Sequence, residues 1–172
     1  MKDIIDQLLK DWAQERPDLD AAAMGIVGRI IVLGKQLESR ANEALEQFDI
    51  PYWGLDVLAT LRRSGRPYRL SPGDLRRSVL ISSGAMTNRL DRLESRGLIV
   101  REPDPHDRRG SQVRLTPAGR RLIDRAIAAR FEEATDAVST LNRTEHAQLC
   151  GLLSKLTASL EVPAREPSKV LS

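Results

Sequence analysis

Apolar side chains recur at three- and four-residue intervals through most of this chain, and that spacing predicts a largely helical protein. Residues 3–13 set Ile4, Ile5, Leu8, Leu9 and Trp12 along one side of a short amphipathic helix, which Glu15-Arg16-Pro17-Asp18 breaks. A longer periodic segment runs from Asp18 to about Phe48, with Asp18 or Asp20 as its cap. Its apolar stripe is broad between residues 22 and 33, so it must pack on more than one neighbour. Helices from Pro117 to about Leu141 and from Thr144 to Leu160 close the chain, the last carrying Leu149, Leu152, Leu153 and Leu156. Two long helical regions around a shorter middle predict a dimer layer, antiparallel or intertwined, built from both ends. The segment after Leu160, with Pro163 and Pro167, has the composition of a disordered tail.

The middle reads differently. A helix over 52–63 has Trp53, Val57, Leu58 and Leu61 on its apolar side, and Asp56 and Arg63, seven residues apart, stack on one flank. Ser64-Gly65-Arg66-Pro67 ends it, and Arg69-Leu70 can extend as a short strand. Ser71-Pro72-Gly73-Asp74 then has the order of a capped helix start: serine at the cap, proline first, an acid three positions on. A second helix follows over 82–97, in which Met86, Leu90, Leu93 and Gly97 share a face suited to burial. Its other face offers Gly84, Asn88, Asp91 and Ser95, flanked by Thr87 and Arg92, small and polar enough to enter a DNA major groove. Arg89 lies about 60° from the centre of the buried face, so it leans inward and needs a partner. Leu98–Arg101 and Gln112–Leu115 are strand-like around a turn rich in Pro, Asp, Arg and Gly, which predicts a hairpin wing with Asp107, Arg108 and Arg109 at its tip. Arginines there suit a narrow minor groove, although a solvated basic turn would have the same sequence.

The fold class expected is therefore mainly α with a small β-wing: a winged helix-turn-helix core flanked by N- and C-terminal dimerisation helices, plus an extra N-terminal helix. The expected divisions are 1–17 for the extra helix, 18–49 for the dimerisation helix, 50–118 for the DNA-binding region, 119–161 for the C-terminal dimerisation helices and 162–172 for the tail. Composition adds restraint. The 172 residues carry a formal charge of only +3, with a pI of about 9.3, so the placement of charge matters more than its sum. Thirteen arginines lie between Arg62 and Arg114, which is where nucleic acid would touch. One cysteine, Cys150, allows no intrachain disulfide and fits a reducing cytoplasm. No stretch approaches membrane-spanning length. His106 lies in the wing turn and His146 near the last helix, and one cysteine with two histidines distant from each other makes neither a metal site nor a catalytic set, so no cofactor is expected. Six aromatic residues are too few for an RNA-stacking surface.

The runs Leu90-Asp91-Arg92-Leu93-Glu94, Gly97-Leu98, Asp107-Arg108-Arg109-Gly110 and Val113-Arg114-Leu115-Thr116-Pro117-Ala118-Gly119 resemble the winged helix-turn-helix core of the MarR family, over about residues 19–160. That resemblance implies a homodimer that binds a pseudo-palindromic operator in double-stranded DNA, typically as a repressor, and lets go when a small ligand binds. It implies that Arg109 is the wing-tip arginine and that Asp91 pairs with it to hold the wing; with Arg109, the residues expected to contact DNA are Ser82, Ser83, Thr87, Asn88, Arg92 and Arg108, and Asp107 is the second expected wing-positioning acid. The extra N-terminal helix is similar to that of the urate-responsive and PecS-type regulators. Their ligand site, carried over by position, falls on Trp12, Asp56, Arg63 and Arg89, the last preceded by Asn88. Arginine forks and a tryptophan face suit a planar anion such as urate or a xanthine-like purine.

Duller assignments exist for each residue. Trp12 could be a core staple, Asp56 and Arg63 a solvated surface pair, Arg89 a phosphate contact and Cys150 ordinary packing. Two other mechanisms would use the same fold: a redox response through Cys150, or DNA binding with no ligand at all.

Overall fold

The computed structural model describes residues 3–79, 86–104 and 110–160. Two compact units divide the chain after Ala134. The first begins with helix α1 (Ile4–Glu15), held at its start by a capping box: Asp3 accepts from the Ile5 and Asp6 amides, and Asp6 accepts from the Asp3 amide. Helix α2 (Ala22–Leu45) follows, with Asp20 accepting from the Ala22 amide at 2.9 Å while Asp18 pairs with Arg16. Arg29 of α2 reaches Asp3 (2.8 Å) and Asp6 (2.7 Å), tying the two helices together. Gly28 lets them approach, since a Cβ there would lie 2.9 Å from the Ile5 Cδ1. A 3-10 turn, Glu46–Phe48, ends the long segment earlier than one continuous helix would.

Helix α3 (Tyr52–Arg63) takes the place predicted for it, its first amide donating to the Asn42 side chain of α2 at 3.0 Å. The short strand β1 (Arg69–Leu70) leads to helix α4 (Pro72–Ser78), capped by Ser71, and then to helix α5 (Met86–Ser95). Strands β2 (Ile99–Pro103) and β3 (Ser111–Leu115) form the hairpin, and β1 adds to β3, giving an antiparallel sheet in the order β1-β3-β2. Leu45, Leu58, Leu61, Leu75, Leu93, Ile99, Val113 and Ile123 are almost fully buried and make one core beneath the helix pair and the sheet.

Helix α6 (Pro117–Ala137) starts from a tight joint. Helix α5 is closed at Gly97 (φ +67°), where the Leu98 amide reaches back to the Leu93 carbonyl and the Gly97 amide to that of Glu94. The Thr116 hydroxyl donates to the Gly97 carbonyl (2.7 Å) and accepts from the Gly119 amide (3.0 Å), while the Thr116 amide donates to Leu98 (3.1 Å). Gly119 is pressed so closely on the Leu98 carbonyl that a Cβ would sit 1.9 Å from its oxygen.

The second unit contains helix α7 (Arg143–Leu160), started by Asn142 and Glu145 in a reciprocal cap. None of its residues is buried, and Leu149, Leu152, Leu153, Leu156 and Leu160 are exposed. On α2, Ile26, Val27, Ile30, Ile31, Leu33 and Leu37 are exposed as well. Among the described residues, no helix is long and apolar enough to cross a membrane.

Candidate functional site

Helix α5 has the two faces that its sequence predicts, except that Gly97, expected on the buried face, is exposed beyond the helix end, where its positive φ turns the chain. Met86, Leu90 and Leu93 are buried, whereas Thr87, Asn88, Asp91, Arg92 and Ser95 are exposed. Ser82, Ser83, Gly84, Asp107, Arg108 and Arg109, and the tail after Leu160, lie outside the described residues.

The base of the wing is locked onto α5 through Arg101, a residue its sequence did not single out for this. Its guanidinium donates to Asp91 at 2.6 Å and lies 3.6 Å from Glu94, and its backbone amide donates to Glu94 at 2.9 Å. Among the described residues Asp91 thus has a strand residue as its partner; the expected pairing with Arg109 falls outside them. A second pair, Arg114 with Glu102, crosses between β3 and β2 and holds the Glu102 carboxyl below the usual carboxylate range. Both pairs stiffen the hairpin that would present the wing tip.

Arg89 is half-buried and leans inward as predicted, its guanidinium 5.6 Å from the centre of the Trp53 ring on α3. The sequence marks Trp53 only as a core residue. Its spacing of three from Asp56 was visible, but nothing in the sequence linked it to Arg89.

Between α3 and α6 lies a cleft of about 420 Å³. Leu55, Ala59, Ile123, Ile127 and Phe131 give it apolar walls, and Asp56, Arg62, Arg63 and Arg130 bring charge to it. Asp56 is buried, with 6% of its surface exposed, whereas Arg63 is exposed. Arg63 also donates through Nη2 to the carbonyl of Ser78, the last residue of α4. One side chain therefore borders the cleft and holds the end of the helix that precedes α5. The fold brings Asp56 and Arg63 together here. Neither Trp12 nor Arg89 lines the cleft, and Trp12 stands half exposed on α1. Arg62 is anchored to Asp124 at 2.7 Å and stacks 5.0 Å over Tyr68. Among the described residues no group of three His, Cys, Asp or Glu side chains could hold a metal ion.

Comparison with known proteins agrees with this architecture. Residues 48–110 match the model of the MarR family. The HTH-type transcriptional regulator PecS of Dickeya dadantii is 31% identical over 156 residues, covering 91% of this chain and 94% of PecS. A mutant MarR of Escherichia coli in complex with operator DNA superposes with a TM-score of 0.68 at 27% identity, covering 84% of this chain and 96% of that one. A MarR family regulator from Streptomyces coelicolor in complex with DNA shares the fold at a TM-score of 0.75 and 24% identity, covering 85% and 91%.

Proposed function

The chain belongs to the MarR family of DNA-binding transcriptional regulators, proteins that are not enzymes, and from that premise we propose that it is a homodimeric repressor released from a pseudo-palindromic operator by a small planar anion such as urate. The observation that carries this reading is the double role of Arg63. A ligand anion in the cleft would compete for the guanidinium that now holds the Ser78 carbonyl, and would meet the negative charge of Asp56. Either change bears on α4 and so on the placement of α5. A coupling of this kind is typically about 1 to 3 kcal/mol, or roughly 5- to 150-fold in affinity.

The outward residues Thr87, Asn88 and Arg92 are proposed to read base edges and phosphates, with Ser82, Ser83, Arg108 and Arg109 on either side of them along the chain. Asp91 and Asp107 are the proposed wing-positioning acids. Arg89 is the inward link, stacked on the same helix that bears Asp56. Trp12 is proposed to join the site from a second copy, because it is exposed and absent from the cleft of its own chain. The second copy would cover the exposed leucines and isoleucines of α2 and α7, and sedimentation should give twice the 19.2 kDa of one chain.

Isothermal titration with urate and xanthine tests the ligand, and Asp56→Asn should change the affinity for urate. No heat across both purines would refute the purine assignment while leaving DNA binding intact. Arg89→Ala separates two roles: loss of the urate response points to sensing, whereas uniformly weaker and less salt-dependent DNA binding points to phosphate contact. A redox reading has one observation in its favour, the exposed Cys150 thiol 3.9 Å from the His146 ring. It requires peroxide to weaken DNA binding by the parent and not by Cys150→Ser.

A further inference from the structure

The cleft has two cationic ends. Helices α3 and α6 pass along it in opposite directions, since Arg62 pairs with Asp124 at one end while Arg130 lies 5.6 Å over the Tyr52 ring at the other. Tyr52 and Arg63 are eleven residues apart, so the ends are separated by roughly 16 Å along α3. Between them lie the apolar side chains of Leu55, Ala59, Ile123 and Ile127, with Asp56 beside them on α3.

Arg130 is prepared for an anion. It is largely buried, at 19% side-chain exposure, and its only acceptor among the described residues is Glu133, reached through Nη1 at 2.6 Å. A guanidinium has five N–H donors, so most of its hydrogen-bonding capacity is unused. Glu133, 9% exposed, gives its second oxygen to Arg40 of α2 at 3.0 Å. It is an internal anion shared by two cations from two helices, and it can yield part of Arg130 without being stranded, because Arg40 remains.

Building on the proposed reading of the cleft as an anion site, we infer that Arg130 forms a second anion subsite, with Glu133 as its resting counter-ion, so that the cleft selects an elongated aromatic ligand bearing an anionic group at each end. The apolar walls take the rings, Arg63 takes one anionic group, and Arg130 exchanges part of its bond to Glu133 for the other.

The test compares biphenyl-4,4′-dicarboxylate with biphenyl-4-carboxylate by isothermal titration on the full chain, with urate alongside. The dicarboxylate is expected to bind the parent at least tenfold tighter than the monocarboxylate. Arg130→Gln should bring that ratio close to one. Glu133→Gln, which removes the competing charge, should tighten the dicarboxylate about fivefold. A ratio near one in the parent, or weaker dicarboxylate binding by Glu133→Gln, overturns the second subsite. Urate binding with a ratio near one overturns it while leaving the cleft reading in place, whereas no binding of any of the three overturns both. The comparison in the parent and the Glu133→Gln result stand even where Arg130→Gln fails to fold.

Discussion

Replacing Gly119, buried in the first turn of α6, by alanine should damage this protein more than the exchange of one hydrogen atom for a methyl suggests. The added Cβ would sit 1.9 Å from the Leu98 carbonyl oxygen and 2.9 Å from the carbonyl carbon, both backbone atoms that no rotamer change can move. Restoring a contact of about 3.3 Å requires the first turn of α6 to withdraw by more than 1 Å, and overpacking of this kind typically costs about 1 to 3 kcal/mol. Withdrawal also loosens the two hydrogen bonds by which Thr116 holds Gly97 and Leu98, each worth roughly 0.5 to 1.5 kcal/mol. Against these stands a helix-propensity gain of about 1 kcal/mol for alanine over glycine. The net expectation is a loss of roughly 1 to 5 kcal/mol, with about 3 kcal/mol at the centre, a large share of the stability of an ordinary domain. Urea unfolding followed by circular dichroism measures it. An unfolding free energy within about 0.5 kcal/mol of the parent would refute the idea that this joint is closed by contact between Gly119 and Leu98.

Arg101→Gln should weaken operator binding about fivefold, the equivalent of roughly 1 kcal/mol for a partly exposed charged pair, with the salt dependence of binding unchanged; a reduced salt slope in fluorescence anisotropy would mean that Arg101 touches phosphate instead. Thr60→Val should stabilise the protein by roughly 0.5 to 1 kcal/mol, because the buried Thr60 hydroxyl has no hydrogen-bond partner among the described residues, and a loss of stability in thermal unfolding would contradict this. The carboxyls of Asp3 and Asp6 are held below the usual carboxylate range, Asp3 chiefly by Arg29 and then by the Asp6 amide, Asp6 chiefly by the Asp3 amide and then by Arg29. Lowered folded-state values mean stabilisation that is complete above the ordinary aspartate pKa of about 4 and lost as pH falls below it. The stability advantage of the parent over Arg29→Gln should therefore be present at pH 7 and vanish in acid; an advantage independent of pH would rule out the carboxylates.

Helix periodicity made α1, α3 and α6 legible in outline, and the Ser-Pro-Gly-Asp order gave the start of α4 to the residue, because caps and apolar spacing are local properties of a chain. The Thr-Pro-Ala-Gly run was recognisable only as a resemblance, and its reason emerges at the contact of Gly119 with Leu98. Long-range pairing was harder to read. Asp91 could be marked as an acid that needs a basic partner, yet nothing in the sequence chose Arg101 over Arg109. Arg89 could be placed off the outward face by its helical angle, but the ring beneath it, Trp53, lies 36 residues earlier in the chain, on another helix. Arg130 and Glu133 were invisible as site residues, since their meaning comes from α6 lying against α3 and α2, a relation set by the whole core. Trp12 shows the converse: the sequence marked the residue, and the single chain leaves it outside the cleft.

The claim on which the rest depends is that Arg63 carries the ligand signal from the cleft to the end of α4. Anisotropy of labelled operator DNA, titrated with urate in the presence of the parent and of Arg63→Gln, tests it most directly, each protein being compared with its own ligand-free complex. The half-release concentration of urate should rise at least tenfold in Arg63→Gln. Equal half-release concentrations in the two proteins would contradict the account.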